Sequence, residues 1–199
     1  KKAAGEKFDF SEIIPLYKGK RLTDVHLDKI TIPYKKNLDI ICGSEEISKM
    51  IRLDEESILE LFSLLRKKYN YVIVDCSSHI NELITYIALV EESTDILWSL
   101  TSDYCSRKRT VRNVRELLEL GVTQEKVIFV LNKHIKKSPV SINKIRQEIK
   151  PVGILDNIIG FTPMMIESLD RGKPLAVSKK DTRYMEHIDR LISLLLKRG

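Results

Sequence analysis

The sequence predicts an α/β fold, a mostly parallel sheet with helices on both faces. Short, continuous apolar runs rich in β-branched residues read as strands covered on both sides. Between them, apolar residues recur three and four positions apart, the spacing of amphipathic helices. Strand and helix alternate along the chain, the signature of right-handed βαβ units. The 199 residues, 43% of them hydrophobic, suffice for one ordinary core. A single domain over 1–199 is therefore expected, irregular over 1–37 and α/β over 38–199.

Lys1–Asn37 is polar and basic, and no strand opens it; one helical turn near Leu22–Val25 is the most it suggests. The strands are Leu38–Cys42 (LDIIC), Tyr71–Asp75 (YVIVD), Asp95–Thr101 (DILWSLT), Lys126–Asn132 (KVIFVLN) and Leu155–Gly160 (LDNIIG). Ile58, Leu61, Phe62 and Leu65 share one helical face behind Asp54, a suitable N-cap. A second helix is expected over Asn81–Glu91. A third starts at Asp103, with Val111, Val114 and Leu118 as its inward face. Ser141 caps a short helix carrying Ile142, Ile145 and Ile149. Asp181 caps the last one, where Tyr184, Ile188, Leu191 and Leu195 form a stripe. Trp98, inside a strand, reads as core.

A formal charge of +6 suits an anionic partner, although a charge of this size also simply keeps a protein in solution. Cys42, Cys76 and Cys105 are widely spaced, with no CxxC pair or His/Cys cluster, which argues against a zinc site or disulfide framework and fits a reducing cytoplasm. No apolar run approaches the roughly 18 residues that span a bilayer, so integral membrane association is not expected. Lys1–Lys7 lacks the apolar core of a signal peptide.

In open parallel sheets, ligands bind beyond the carboxyl ends of the strands. Asp75 ends the second strand, where a carboxylate can hold a hard cation such as Mg²⁺ through water. Asn132 ends the fourth, and its side chain offers the acceptor and donors that match a purine edge. Gly160-Phe161-Thr162-Pro163 follows the fifth, a turn able to lay backbone groups and a ring against a base. Arg107, Lys108, Arg109, Arg112 and Arg115 crowd one helix, as a solvated face or as a patch for a polyanion or partner protein.

The order YVIVD-CSS, DILWSLTSD, KVIFVLNK, IIGFTP, LDRGKPL resembles the MinD/ParA superfamily of deviant-Walker ATPases, most of all the TadZ/CpaE branch associated with Tad and type IV pilus assembly. Leu131-Asn132 before a Ser141-capped helix carries the second likeness, as do Leu22–Val25 and Asn37–Ile41, which resemble the stretch between the family's second and third strands. The resemblance spans roughly residues 20 to 198. It implies a P-loop NTPase-like fold, ATP and Mg²⁺ as cofactors, and a homodimer sandwiching ATP. Asp75 would be the Walker B carboxylate, with Ser77 and Ser78 in the switch loop. Asn132 would read adenine, with Phe161, Thr162 and Pro163 beside the base. Gly172 and Pro174 would form a structural turn before the last helix.

The chain departs from the family pattern at Ser77, Gly160 and Thr162, where the family has Pro, Pro and Asp. It also has no Gly-rich loop ending in Gly-Lys-Ser/Thr. The expectation is thus the larger, C-terminal part of such a domain, without the first strands and phosphate loop, binding ATP poorly and hydrolysing it weakly or not at all by itself. It would localise a pilus or secretion apparatus from the cytoplasm, at a pole or at the inner face of the membrane. The rival readings are a partition protein holding DNA non-specifically, and a scaffold with a degenerate nucleotide site. The final amphipathic helix aligns with the family's last core helix rather than with a membrane anchor.

Overall fold

The computed structural model describes residues 22–43, 54–77, 80, 82–178 and 181–198. They divide between Glu92 and Ser93 into two units. In the first, helix α1 (Asp24–Ile30) buries Leu27 and Ile30, one turn apart. It leads directly into an antiparallel hairpin of β1 (Thr31–Lys35) and β2 (Leu38–Ile41). The Thr31 hydroxyl donates to the Leu27 carbonyl at 2.6 Å and fixes that corner. This corrects the expectation of irregular chain over 22–37. The signals were too short to register: a seven-residue helix, then a strand interrupted by Pro33, where the ladder register shifts because proline has no N–H to give. Strand β2 forms where expected, but in this hairpin.

Helix α2 (Glu55–Lys68) starts at Asp54, whose Oδ1 accepts the Ser57 N–H at 3.0 Å. Its buried face carries Ile58, Leu61, Phe62 and Leu65, the four residues its periodicity singled out. Helix α3 (Leu83–Tyr86) continues as a π-helical turn, Ile87–Glu92, and Ile87 and Ala88 close the same apolar cluster as α1 and α2. Tyr71–Asp75 is the second correction. It pairs with no strand among the described residues, and Ile73 is 91% exposed. Its residues have full strand character, but a strand needs a neighbouring backbone, and neither edge of the β1–β2 hairpin pairs with it.

The second unit is a parallel sheet in the order β3 (Ile96–Leu100), β4 (Val127–His134), β5 (Leu155–Gly160). The crossovers are α4 (Tyr104–Glu119) and α5 (Ile142–Ile149). Asp103 and Ser141 cap them, accepting the N–H groups of Ser106 at 2.8 Å and Lys144 at 3.2 Å. Trp98 donates its indole N–H to Thr110 of α4, and Phe129, its partner in register on β4, points to the same face. Gly153, just after α5, lies against that Phe129 ring so closely that a Cβ would sit 2.3 Å from it. The other face, Ile128, Val130 and Ile159, is covered by α8 (Thr182–Leu196) through Tyr184, Ile188, Leu191 and Leu195. Helices thus flank both faces, and Val127–Leu131 is buried throughout. The short helices α6 (Met164–Asp170) and α7 (Leu175–Ser178) connect β5 to α8. Gly172, at positive φ of 59°, ends α6, which gives the Gly-x-Pro-Leu segment its turn. No helix is long and apolar enough to cross a membrane among the described residues.

Helix α4 turns differently from the expected face. Arg107, Thr110, Asn113, Val114 and Leu117 are buried, whereas Val111 and Leu118 are only half-buried. Each of the polar residues has a partner: Trp98 for Thr110, Glu148 for Arg107, and for Asn113 the Arg112 Nε–H, which donates to its Oδ1.

Candidate functional site

Strands β4 and β5 end side by side, so the turns after them are neighbours. The Phe161 N–H donates to the His134 carbonyl at 2.9 Å. Between Leu131 and His134 the β4–β5 register shifts, with three steps on β4 against two on β5. The extra residue is a bulge, a device that re-aims side chains at sheet ends. Lys133 adopts φ of 55°, the one positive value among the described non-glycine residues. Asn132 stabilises it, its Oδ1 accepting the Lys133 N–H at 2.8 Å. One lone pair of that oxygen and the whole NH₂ group are left for a ligand. Phe161 is 39% exposed on the adjoining turn. Asn132 and Phe161 can therefore meet, respectively, the edge and the face of a planar heterocycle.

Thr162 and Pro163 have further local duties. The Thr162 oxygen receives the Met164 N–H at 3.4 Å, and Pro163 sits at the N-cap of α6. Thr162 also bonds to Asp181, the cap of α8, whose own first duty is to accept the Tyr184 N–H at 2.9 Å. These bonds, the backbone one first, hold the Asp181 carboxyl below its ordinary range. At Gly160, the N–H donates to His187 Nδ1 at 3.0 Å. A proline there would have no N–H to give, and a Cβ at this position would lie 3.2 Å from the His187 ring. Nδ1 accepts only when the ring is neutral. Burial, seconded by Arg190, pushes the His187 pKa down in that direction. His187 is a neighbour of the β5 end that the sequence did not reveal. Nothing in a helical pattern marks which flank position will reach back to a strand end.

In the first unit, Asp75 is exposed at the end of Tyr71–Asp75. Its charge adds to burial in raising the Cys76 thiol pKa. The Ser77 hydroxyl donates to Glu82 Oε1 at 3.2 Å. Ser78 and His79 lie outside the described residues. No group of three or more metal-ligating side chains forms among the described residues. An exposed carboxylate does suit Mg²⁺, which keeps several waters and takes one or two carboxylates with substrate phosphates.

The cations of α4 divide. Arg107 is 4% exposed and is withdrawn from any surface patch: its Nε donates to Glu148 at 2.6 Å and its Nη1 to the Ser102 carbonyl. That pairing, with nearby Lys108 and Lys144, lowers the Glu148 pKa. This corrects the placement of Arg107 among the solvent-facing cations; a guanidinium at the first turn is drawn inward by a carboxylate on the facing helix. Lys108, Arg109, Arg112 and Arg115 are exposed. A cleft of about 550 Å³ takes in Lys108, Arg112 and Arg115, but Glu116, Glu119 and Glu148 line it too.

No protein family matches the chain by sequence, and no curated protein matches it. Solved structures do. A ParA family ATPase from Chlorobium tepidum TLS aligns with a TM-score of 0.79 at 19% identity, over 94% of this chain and 75% of that one. MinD cell division protein from Aquifex aeolicus aligns at 0.67 and 17%, over 97% and 76%. The MinC:MinD complex of the same organism gives 0.67 and 15%, over 97% and 75%. The chain has the ParA/MinD fold.

Proposed function

We propose that this chain is a nucleotide-binding, dimerising protein of the ParA/MinD kind that localises a Tad or type IV pilus or secretion apparatus at the inner face of the membrane. The observation that carries the nucleotide reading is the pairing, at adjoining strand ends of that fold, of a bulged Asn132 with a half-exposed Phe161. Asn132 would take the edge of adenine, and Phe161 with the Thr162-Pro163 backbone would lie beside it. Asp75 would hold Mg²⁺ through water, with Ser77 and Ser78 sensing the phosphates. ATP with Mg²⁺, when bound, supplies the negative charge that two copies of the chain can clamp between them. The likeness to a MinD solved together with MinC supports a protein partner. The pilus assignment rests on the sequence likeness of LTDV, NLDII and LN-Ser141 quoted above.

Asn132→Ala tests this reading. It should weaken a fluorescent ATP analogue by about 1–3 kcal/mol, because donors and acceptors on the base lose their partner. Equal binding by the variant and the wild type would remove the adenine assignment.

The alternative, non-specific DNA binding through Lys108, Arg109, Arg112 and Arg115, draws on their exposure. The three glutamates in the same cleft count against it, since carboxylates repel a phosphate backbone.

A further inference from the structure

Among the described residues, strand β5 is a sheet edge. Edges normally present unpaired N–H groups that can recruit another strand. Because the Phe161 N–H faces β4, the alternate N–H groups of Ile158 and Gly160 face outward. Both are already taken, by Asn157 Oδ1 at 2.9 Å and His187 Nδ1 at 3.0 Å. Neither N–H is left to recruit another strand. Beside this edge is a cleft of about 700 Å³ lined largely by side chains of α8, α5 and the β4–α5 connection.

Those side chains are strongly one-sided in charge. Arg183, His187, Arg190 and Leu194 form one wall, spaced four, three and four apart along α8 and so on one face of it. Lys136, after β4, and Arg146, on α5, complete the lining cations. Asp156 is the one carboxylate in the described lining, and its Oδ2 accepts the Phe129 N–H at 2.8 Å. Neither Lys136 nor Arg146 enters an ion pair among the described residues, and Arg190 reaches Glu186 only at 3.8 Å. His134, also in the lining, has a buried Nδ1 with no hydrogen-bond partner among the described residues. Four permanent cations around one space repel each other until a multiply charged anion joins them. Guanidinium groups match phosphate oxygens in pairs. The size is that of small-ligand clefts, which run from about 300 to 1,000 Å³.

We propose that the cleft between the β5 edge and α8 binds a small ligand bearing an oligophosphate group. Asn132, Thr162 and Pro163 do not line it, so this site is separate from the base contacts proposed above and shares only Phe161 with them.

The test is calorimetry on the full 199-residue chain with sodium tripolyphosphate, at 50 and 200 mM salt. One equivalent should bind, more weakly at the higher salt. Arg183→Ala with Arg190→Ala should weaken binding at least tenfold. Both residues are exposed, so the fold should persist, and circular dichroism checks it. Lys108→Ala/Arg112→Ala should bind like wild type, which separates this site from general attraction to cations. NMR titration should show the His187 pKa rising when tripolyphosphate is bound, against the lowering set by burial, Arg190 and Arg183 and offset by Glu186 and Asp181. The proposal is overturned by the absence of saturable binding, or by equal loss in the Lys108/Arg112 variant. Binding of a twelve-nucleotide single strand without binding of tripolyphosphate would equally overturn it, in favour of an extended nucleic-acid track.

Discussion

Tyr71–Val74 and Ile128–Leu131 are both four-residue runs of strand-forming residues, and they meet opposite fates. Ile128–Leu131 lies between β3 and β5 with helices on both faces, and Phe129 is 0% exposed. In Tyr71–Val74 every residue is exposed, with Tyr71 at 74%. The two runs differ in what lies beside them. Burial of β4 depends on the neighbouring backbones, the α8 stripe and a glycine that lets Phe129 in. The lesson is that β-propensity describes fitness for a sheet position and does not create one.

Substitutions can break that contrast. The largest effect is expected at Phe129→Ala, about 3–5 kcal/mol from lost burial and a cavity. Urea unfolding followed by Trp98 fluorescence, the single tryptophan, reports on this unit. Gly153→Ala should cost about 1–3 kcal/mol in the same assay, because its Cβ overlaps the Phe129 ring. Asp156→Ala should cost about 1–3 kcal/mol, since it strips the acceptor from the Phe129 N–H at a point where the β4–β5 register shifts.

His187 gives a smaller, pH-dependent effect. Its folded pKa is lowered, so the folded state binds fewer protons than the unfolded one. Its contribution is present above the ordinary imidazole value of about 6.5 and is lost as pH falls below it. Wild type should therefore lose stability between pH 7.5 and 5.5 by more than His187→Gln, whose amide oxygen can still accept the Gly160 N–H. Ile73→Ala should be the mildest, within about 0.5 kcal/mol. A loss there comparable to that at Phe129 would mean that the run is buried in solution, and the contrast would fail.

These elements also mark what the sequence discloses. Helix α2, the Asp103, Ser141 and Asp181 caps and the last three strands were legible, because cap chemistry and apolar periodicity are local. The hairpin at Thr31–Ile41 was hidden by its shortness and by Pro33. The inward turn of Arg107 was hidden because its partner Glu148 lies 41 residues away. Asn132 and Phe161 could be nominated from strand ends, but the bulge at Lys133, a lysine in a glycine-like conformation, carries no sequence signal.

In the proposed function the ends of β4 and β5 receive a nucleotide base. The most direct measurement is an amide ¹H–¹⁵N NMR titration of the full chain with Mg·ATP into the millimolar range, since the sequence lacks a phosphate-gripping loop and binding should be weak. Saturable shifts are expected at Lys133, Phe161 and Thr162, and those at Lys133 and Thr162, which lie outside the oligophosphate cleft, should vanish in Asn132→Ala. Shifts confined to α4, or none at these three amides, would contradict this assignment.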